Sequence, residues 1–134
     1  ACNLHSAIGQ AADIAIEVSV GPEVLTGSTR LKAGSAQKMI LNMITTGAMV
    51  RTGKAYQNLM VDVVQSNEKL RTRAENIVMA ATDVSREQAR RTTDEAHGTV
   101  KLAISMILTG KDAASAQALL DQSGGSVHNA LGNR

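Results

Sequence analysis

Apolar residues recur at helical spacing along much of the chain. From Ala36 the positions Ala36, Ile40, Met43, Gly47 and Val50 share one face, which Met39 and Ile44 widen. The spacing predicts a core-facing helix stopped by Gly53, with Arg51 in the last turn where a cation suits the helix dipole. Ser28 and Ser35 are alternative starts, and the spacing admits both. A second helix is predicted from a Ser66 or Asn67 cap through about Ala81, with Leu70, Ala74, Ile77 and Ala81 on one side. Residues 13–18 alternate polar and apolar ahead of Gly21-Pro22 and read as a short strand, and residues 58–64 as a second extended run. So few short strands are marginal without partners. The pattern therefore predicts that the chain is the C-terminal portion of a longer protein.

The last fifty residues repeat. Residues 85–104 align with 112–131 at an offset of 27, matching Ala89 with Ala116, Asp94 with Asp121, Gly98 with Gly125, Val100 with Val127 and Ala103 with Ala130. Each copy reads as a capped helix, a Gly stop and a short second helix. Ser85 and Gln88 form a capping box in the first copy, and Asp112 caps the second. Small helical pairs of this kind resemble ubiquitin-associated (UBA-like) bundles.

Composition sharpens this. The 134 residues contain no Phe or Trp, one Tyr and 6 Met. A core without large rings is filled by Ala, Leu, Ile, Val and Met, which favours close helix packing. The lack of stacking platforms argues against single-stranded nucleic acid as a partner. The net charge is +2, and Arg71, Arg73, Arg86, Arg90 and Arg91 are interleaved with Glu68, Glu75 and Glu87. That mixture predicts a solvated helix face rather than a DNA footprint. A lone Cys2 allows no internal disulfide and fits a reducing compartment. No apolar run approaches the length of a membrane span and no signal peptide is visible, so the expectation is a cytoplasmic chain with no membrane partner. His5, His97 and His128 lack metal-ligand spacing with each other or with Cys2, which predicts no metal site. Asp94 and Glu95 point to different helix faces and form no acid–base pair.

Candidate chemistry concentrates in residues 21–38. Pro22 and Gly27 break the chain, and Thr26, Ser28 and Thr29 place hydroxyls beside Arg30 and Lys32 at a helix start. Free N–H groups there, with hydroxyls and a guanidinium nearby, suit a phosphate or carboxylate. The alternative is an ordinary capped helix start that binds nothing.

The run GPEVLTGSTRLKAGSAQK, residues 21–38, resembles the signature shared by N-acetylmuramic acid 6-phosphate etherases and glucokinase regulatory proteins. The following KMILNMITTGAMVRTGKAYQNLMVDVVQSNEKLRTRAENIV and the terminal GGSVHNAL resemble the bacterial etherase branch. This resemblance implies an α/β fold: residues 1–64 as the C-terminal part of a sugar-isomerase-type three-layer sandwich, 65–82 as a connecting helix, and 83–134 as a small all-helical UBA-like subdomain. The present chain is then mostly helical. It further implies a homodimeric enzyme that cleaves the D-lactyl ether of a sugar phosphate substrate by elimination and hydration, without a metal or organic cofactor. The family's catalytic glutamates and phosphate loop lie upstream, so the resemblance carries no catalytic residue onto this chain. It implies that Glu23, Thr26, Ser28, Thr29 and Arg30 line or brace the substrate site, with Lys32 and Lys38 as lesser candidates. Glu23 is equally readable as a structural cap. Two other readings stand beside the enzyme: a non-catalytic sugar-phosphate sensor of the regulatory-protein type, and a stand-alone helical interaction module.

Overall fold

A computed structural model describes residues 1–132, so the last two positions of the 83–134 segment lie outside the described residues. The described residues are mostly helical with one two-stranded sheet, and the chain divides into two compact units, Ala1–Gly47 and Ala48–Arg134.

In the first unit, helix α1 (Ala7–Ala11) is capped by Ser6, whose Oγ accepts from Gly9 N at 3.0 Å. The Glu17 carboxylate closes the same turn: it accepts from His5 N (2.7 Å), Ser6 N (2.9 Å) and the Ser6 hydroxyl (2.7 Å). The strand expected over residues 13–18 does not form. Only two backbone bonds tie this stretch to another segment, Ala1 N to Ile16 O and Val18 N to Ala1 O, too few for a ladder.

Helix α2 (Lys32–Arg51) starts at neither Ser28 nor Ser35. Its end agrees with the expectation: Arg51 occupies the last turn, and Gly53 follows at φ +71°. The expected core stripe is not buried. Ala33 is the single buried residue of this helix, while Met39 and Met43 are each 63% exposed. Residues 1–47 supply no core to receive the stripe, since Ile8, Ile14, Val24 and Leu25 are exposed as well.

The second unit carries a core. Strands β1 (Ala55–Tyr56) and β2 (Leu59–Met60) form an antiparallel hairpin in which Ala55 faces Met60 and Tyr56 faces Leu59. Within the extended run 58–64 Leu59 and Met60 form the ladder, and Val61 N adds one further bond to Lys54 O at 3.1 Å. Gln57 takes a left-handed conformation (φ +54°) at the tip, the geometry a two-residue hairpin loop requires. Helix α3 (Glu68–Thr82) begins at Asn67, whose side chain accepts from Leu70 N, and buries Ala74, Ile77 and Val78.

Four helices follow: α4 (Arg86–Glu95), α5 (Val100–Thr109), α6 (Ala113–Gln122) and α7 (Val127–Ala130). Helix α5 is central, packing on α3, α4, α6 and α7 and burying Val100, Leu102, Ala103, Ile104, Ser105 and Met106. Ala74, Ala89, Ala96, Ala103 and Ala116 have no solvent exposure. Small side chains at these contacts let helix backbones approach closely, which is how a ring-free core reaches native density.

The repeat extends to the backbone bonds. Ala89 N donates to Ser85 O as Ala116 N does to Asp112 O, and Ala96 N to Thr92 O as Ser123 N does to Leu119 O. Gly98 N donates to Thr93 O as Gly125 N does to Leu120 O, the helix-ending bond that needs a left-handed residue. Those residues are His97 (φ +51°) and Gly124 (φ +62°), and the glycine that follows each, Gly98 or Gly125, is left-handed as well. Ser85 Oγ accepts from Gln88 N, and Asp112 Oδ1 from Ser115 N, at the two caps the sequence predicts; the return bond from Ser85 N to the Gln88 side chain that would complete a capping box does not form among the described residues.

Candidate functional site

Residues 21–38 fold as a turn that feeds α2. Gly21 and Gly27 take positive φ (+68° and +80°), which a residue with a Cβ resists. Ser28 N bonds Leu25 O and Leu31 N bonds Ser28 O, coiling the loop immediately before the helix. Glu23 closes the helix start: its two carboxylate oxygens accept from Lys32 N (2.9 Å) and Ala33 N (3.0 Å). Lys32 reaches back to Pro22 O through Nζ at 2.9 Å. These N–H bonds, Ala33's first and Lys32's second, hold the Glu23 carboxyl below the usual carboxylate range, assisted by the Lys32 charge.

This geometry changes the anion reading. The N–H groups of Lys32 and Ala33 are taken by Glu23, and those of Gly34 and Ser35 by Thr29 O and Leu31 O. The first turn of α2 therefore has no spare backbone donors for a phosphate. What the loop does present is side chains: Thr26, Thr29 and Arg30 are exposed and Ser28 is half-buried. Glu23, Thr26, Ser28, Thr29 and Arg30 thus share one short turn, with Lys32 at its exit. Lys38 lies further along α2 and is exposed.

Sequence reading missed a buried carboxylate in the second unit that two exposed arginines hold. Glu75, counted with a solvated face, is 8% exposed and is held by Arg90 Nε (2.7 Å) and Arg86 Nη1 (2.8 Å), while Arg86 Nη2 also reaches Asn76 Oδ1. The Arg90 hydrogen bond foremost, with that of Arg86, keeps the Glu75 carboxyl below its ordinary range despite desolvation. The available signal was the position of Glu75 between Ala74 and Ile77 on the apolar side of α3.

Comparison with curated proteins places the chain. It is 57% identical over 126 residues to the N-acetylmuramic acid 6-phosphate etherase of Photorhabdus laumondii, covering 94% of this chain and 42% of that protein. It is 53% identical over 130 residues to N-acetylmuramic acid 6-phosphate etherase 1 of Bacillus licheniformis, covering 97% and 43%. The chain belongs to the N-acetylmuramic acid 6-phosphate etherase family. The Lactobacillus acidophilus member is 50% identical over 133 residues, 99% of this chain and 45% of its own length. The chain spans less than half the length of these relatives and matches their C-terminal part. No protein-family model matches it. Among the described residues no helix is long and apolar enough to cross a membrane.

Proposed function

We propose that this chain is the C-terminal part of a homodimeric, cytoplasmic enzyme that cleaves the D-lactyl ether of N-acetylmuramic acid 6-phosphate. The products are N-acetylglucosamine 6-phosphate and D-lactate. The observation that carries the reading is identity of 50–57% across nearly the whole chain to proteins bearing that etherase name. A base removes the proton at sugar carbon 2, an acid assists departure of lactate from carbon 3, and water adds to the resulting double bond. Such a sequence needs two positioned carboxyl groups in different protonation states. By the family resemblance these groups belong to the portion of the relatives that this chain does not match, so the chain alone is inactive.

In this reading residues 1–64 complete a sugar-isomerase-type sandwich, residues 65–82 connect, and 83–134 form the UBA-like subdomain. The exposed apolar side chains of α2 support a layer laid over that helix. Thr26, Ser28 and Thr29 line the substrate site, Glu23 braces their turn by holding the α2 start, and Arg30 meets the phosphate or the lactate carboxylate.

The deciding experiment follows D-lactate release from N-acetylmuramic acid 6-phosphate. It compares this chain alone with the same chain preceded by the portion its relatives carry N-terminal to the match. Release by the longer protein only is the expected result. No release by either, with sugar phosphate still bound by the longer one, would replace the enzyme with a sensor of the glucokinase-regulatory type. Within the longer protein, Arg30→Ala is expected to raise the Michaelis constant, and an unchanged constant removes Arg30 from the site.

A further inference from the structure

The two copies of the helical repeat diverge at two positions that meet in one cleft. In the second copy Ser126 caps α7 through its hydroxyl, which accepts from Asn129 N, and Leu120 is packed at 1% exposure. In the first copy the corresponding residues are Thr99 and Thr93. Thr99 precedes α5 without making a capping bond, so the first N–H groups of a ten-residue helix lack a side-chain acceptor. Thr93 is 4% exposed, and its hydroxyl has no hydrogen-bond partner among the described residues. A buried polar group left unpaired is costly, and such groups are rare enough to need a reason.

Both threonines line a cleft of about 890 Å³, within the size range of small-molecule sites. Arg71, exposed and without a carboxylate partner among the described residues, lines the same cleft. So do Glu68 and Asp94, which also form no ion pair among the described residues. The helix start, the Thr93 hydroxyl and the Arg71 guanidinium together favour one negative group. The lining's other carboxylates, Asp62 and Glu75, are held by Lys54 and Lys101 and by Arg90 and Arg86, so Glu68 and Asp94 are the ones left to disfavour a dianion and to accept from hydroxyls on the body of a ligand.

We propose that the cleft between α3, α4 and the start of α5 binds a hydroxylated organic carboxylate, its carboxylate toward the α5 N-terminus, Thr93 and Arg71.

The test is a 1H–15N titration of the 134-residue chain with D-gluconate at constant ionic strength, with glucose and inorganic phosphate in parallel. Expected are saturable shifts at Thr93 and at the Val100–Leu102 amides with gluconate, none with glucose, and weaker binding of phosphate. Thr93→Val and Arg71→Gln should each weaken gluconate binding about fivefold or more, the value of one or two hydrogen bonds to a charged group. Arg71 is exposed, so its variant keeps the fold and carries the test even where Thr93→Val does not. Non-saturating shifts with gluconate, or a folded variant of either kind that binds as the parent does, would overturn the proposal. Tighter binding of phosphate than of gluconate would overturn the choice of a carboxylate.

Discussion

The turn at Gly53 is seated on the backbone of Gly125: a Cβ built on Gly53 would lie 2.6 Å from the Gly125 carbonyl oxygen and 2.9 Å from Ser126 N. The hairpin's approach is thus fitted against the helix-ending turn of the second repeat copy. In the first copy the equivalent carbonyl, Gly98 O, instead accepts from Gln65 Nε2 at 2.8 Å. Each turn is fastened by a segment that precedes α3, one by contact and one by a hydrogen bond.

Gly53→Ala is accordingly expected to destabilise the helical unit by about 2 kcal/mol or more, combining a backbone clash with a positive φ. Gly110→Ala is the control: its φ is +68° but nothing lies within 4 Å of the added carbon, so the loss is about 1 kcal/mol. Urea unfolding of the two variants measures the difference, and equal losses would mean that the seat yields.

Glu75 gives a pH-dependent prediction. Its folded carboxyl titrates below the ordinary value of 4.5 because Arg90, then Arg86, hydrogen-bond the charged form. Its contribution is therefore full above that ordinary value and is lost as pH falls through the lowered one. Glu75→Gln should cost about 1–2 kcal/mol at pH 7, the worth of charge-assisted bonds with partners that can return to water. The gap to the parent should close in unfolding measured below the carboxylate range, and a gap independent of pH would assign the loss to packing.

The caps of the two copies should respond differently. Ser126→Ala removes a bond to Asn129 N and is expected to cost about 1 kcal/mol, whereas Thr99→Ala removes none and should stay within about 0.5 kcal/mol. Chemical denaturation of both variants checks the contrast.

Glu23 is expected to act first on α2. Glu23→Gln, or acidification below the carboxylate range, should speed amide exchange at Lys32 and Ala33, whose N–H groups it holds. Unchanged exchange at both sites would show that the helix start stands without it.

The helical unit was legible because its signals are local. Asn67, Ser85 and Asp112 each cap where the sequence places a cap, and the repeat is written in residue spacing that the backbone bonds obey. The position at which α2 starts was not legible: Glu23 was readable as a cap, but it lies nine residues before Lys32 rather than adjacent to it, so the spacing did not say which turn it closes. The strand expected over residues 13–18 failed for a non-local reason. Alternation records which faces a strand can bury, not whether a neighbour exists to pair with it. The same holds for α2, whose Ile40 and Met43 keep core spacing in a unit that has no core to receive them. In the candidate site, the turn, the hydroxyls and the capping alternative for Glu23 were readable, but the choice between that cap and a substrate contact, and the N–H groups that Glu23 takes, required geometry.

The thioethers of α2 have a use as chemistry. Met39, Met43 and Met49 are 63%, 63% and 51% exposed, while Met106 in α5 is 8% exposed. Dilute peroxide should convert the first three to sulfoxides well before the fourth. Because that reaction depends on access, the oxidation rate of each methionine is a site-resolved footprint of whatever lies over the helix in solution. The protein thus carries its own contrast agent, with Met106 as the internal reference.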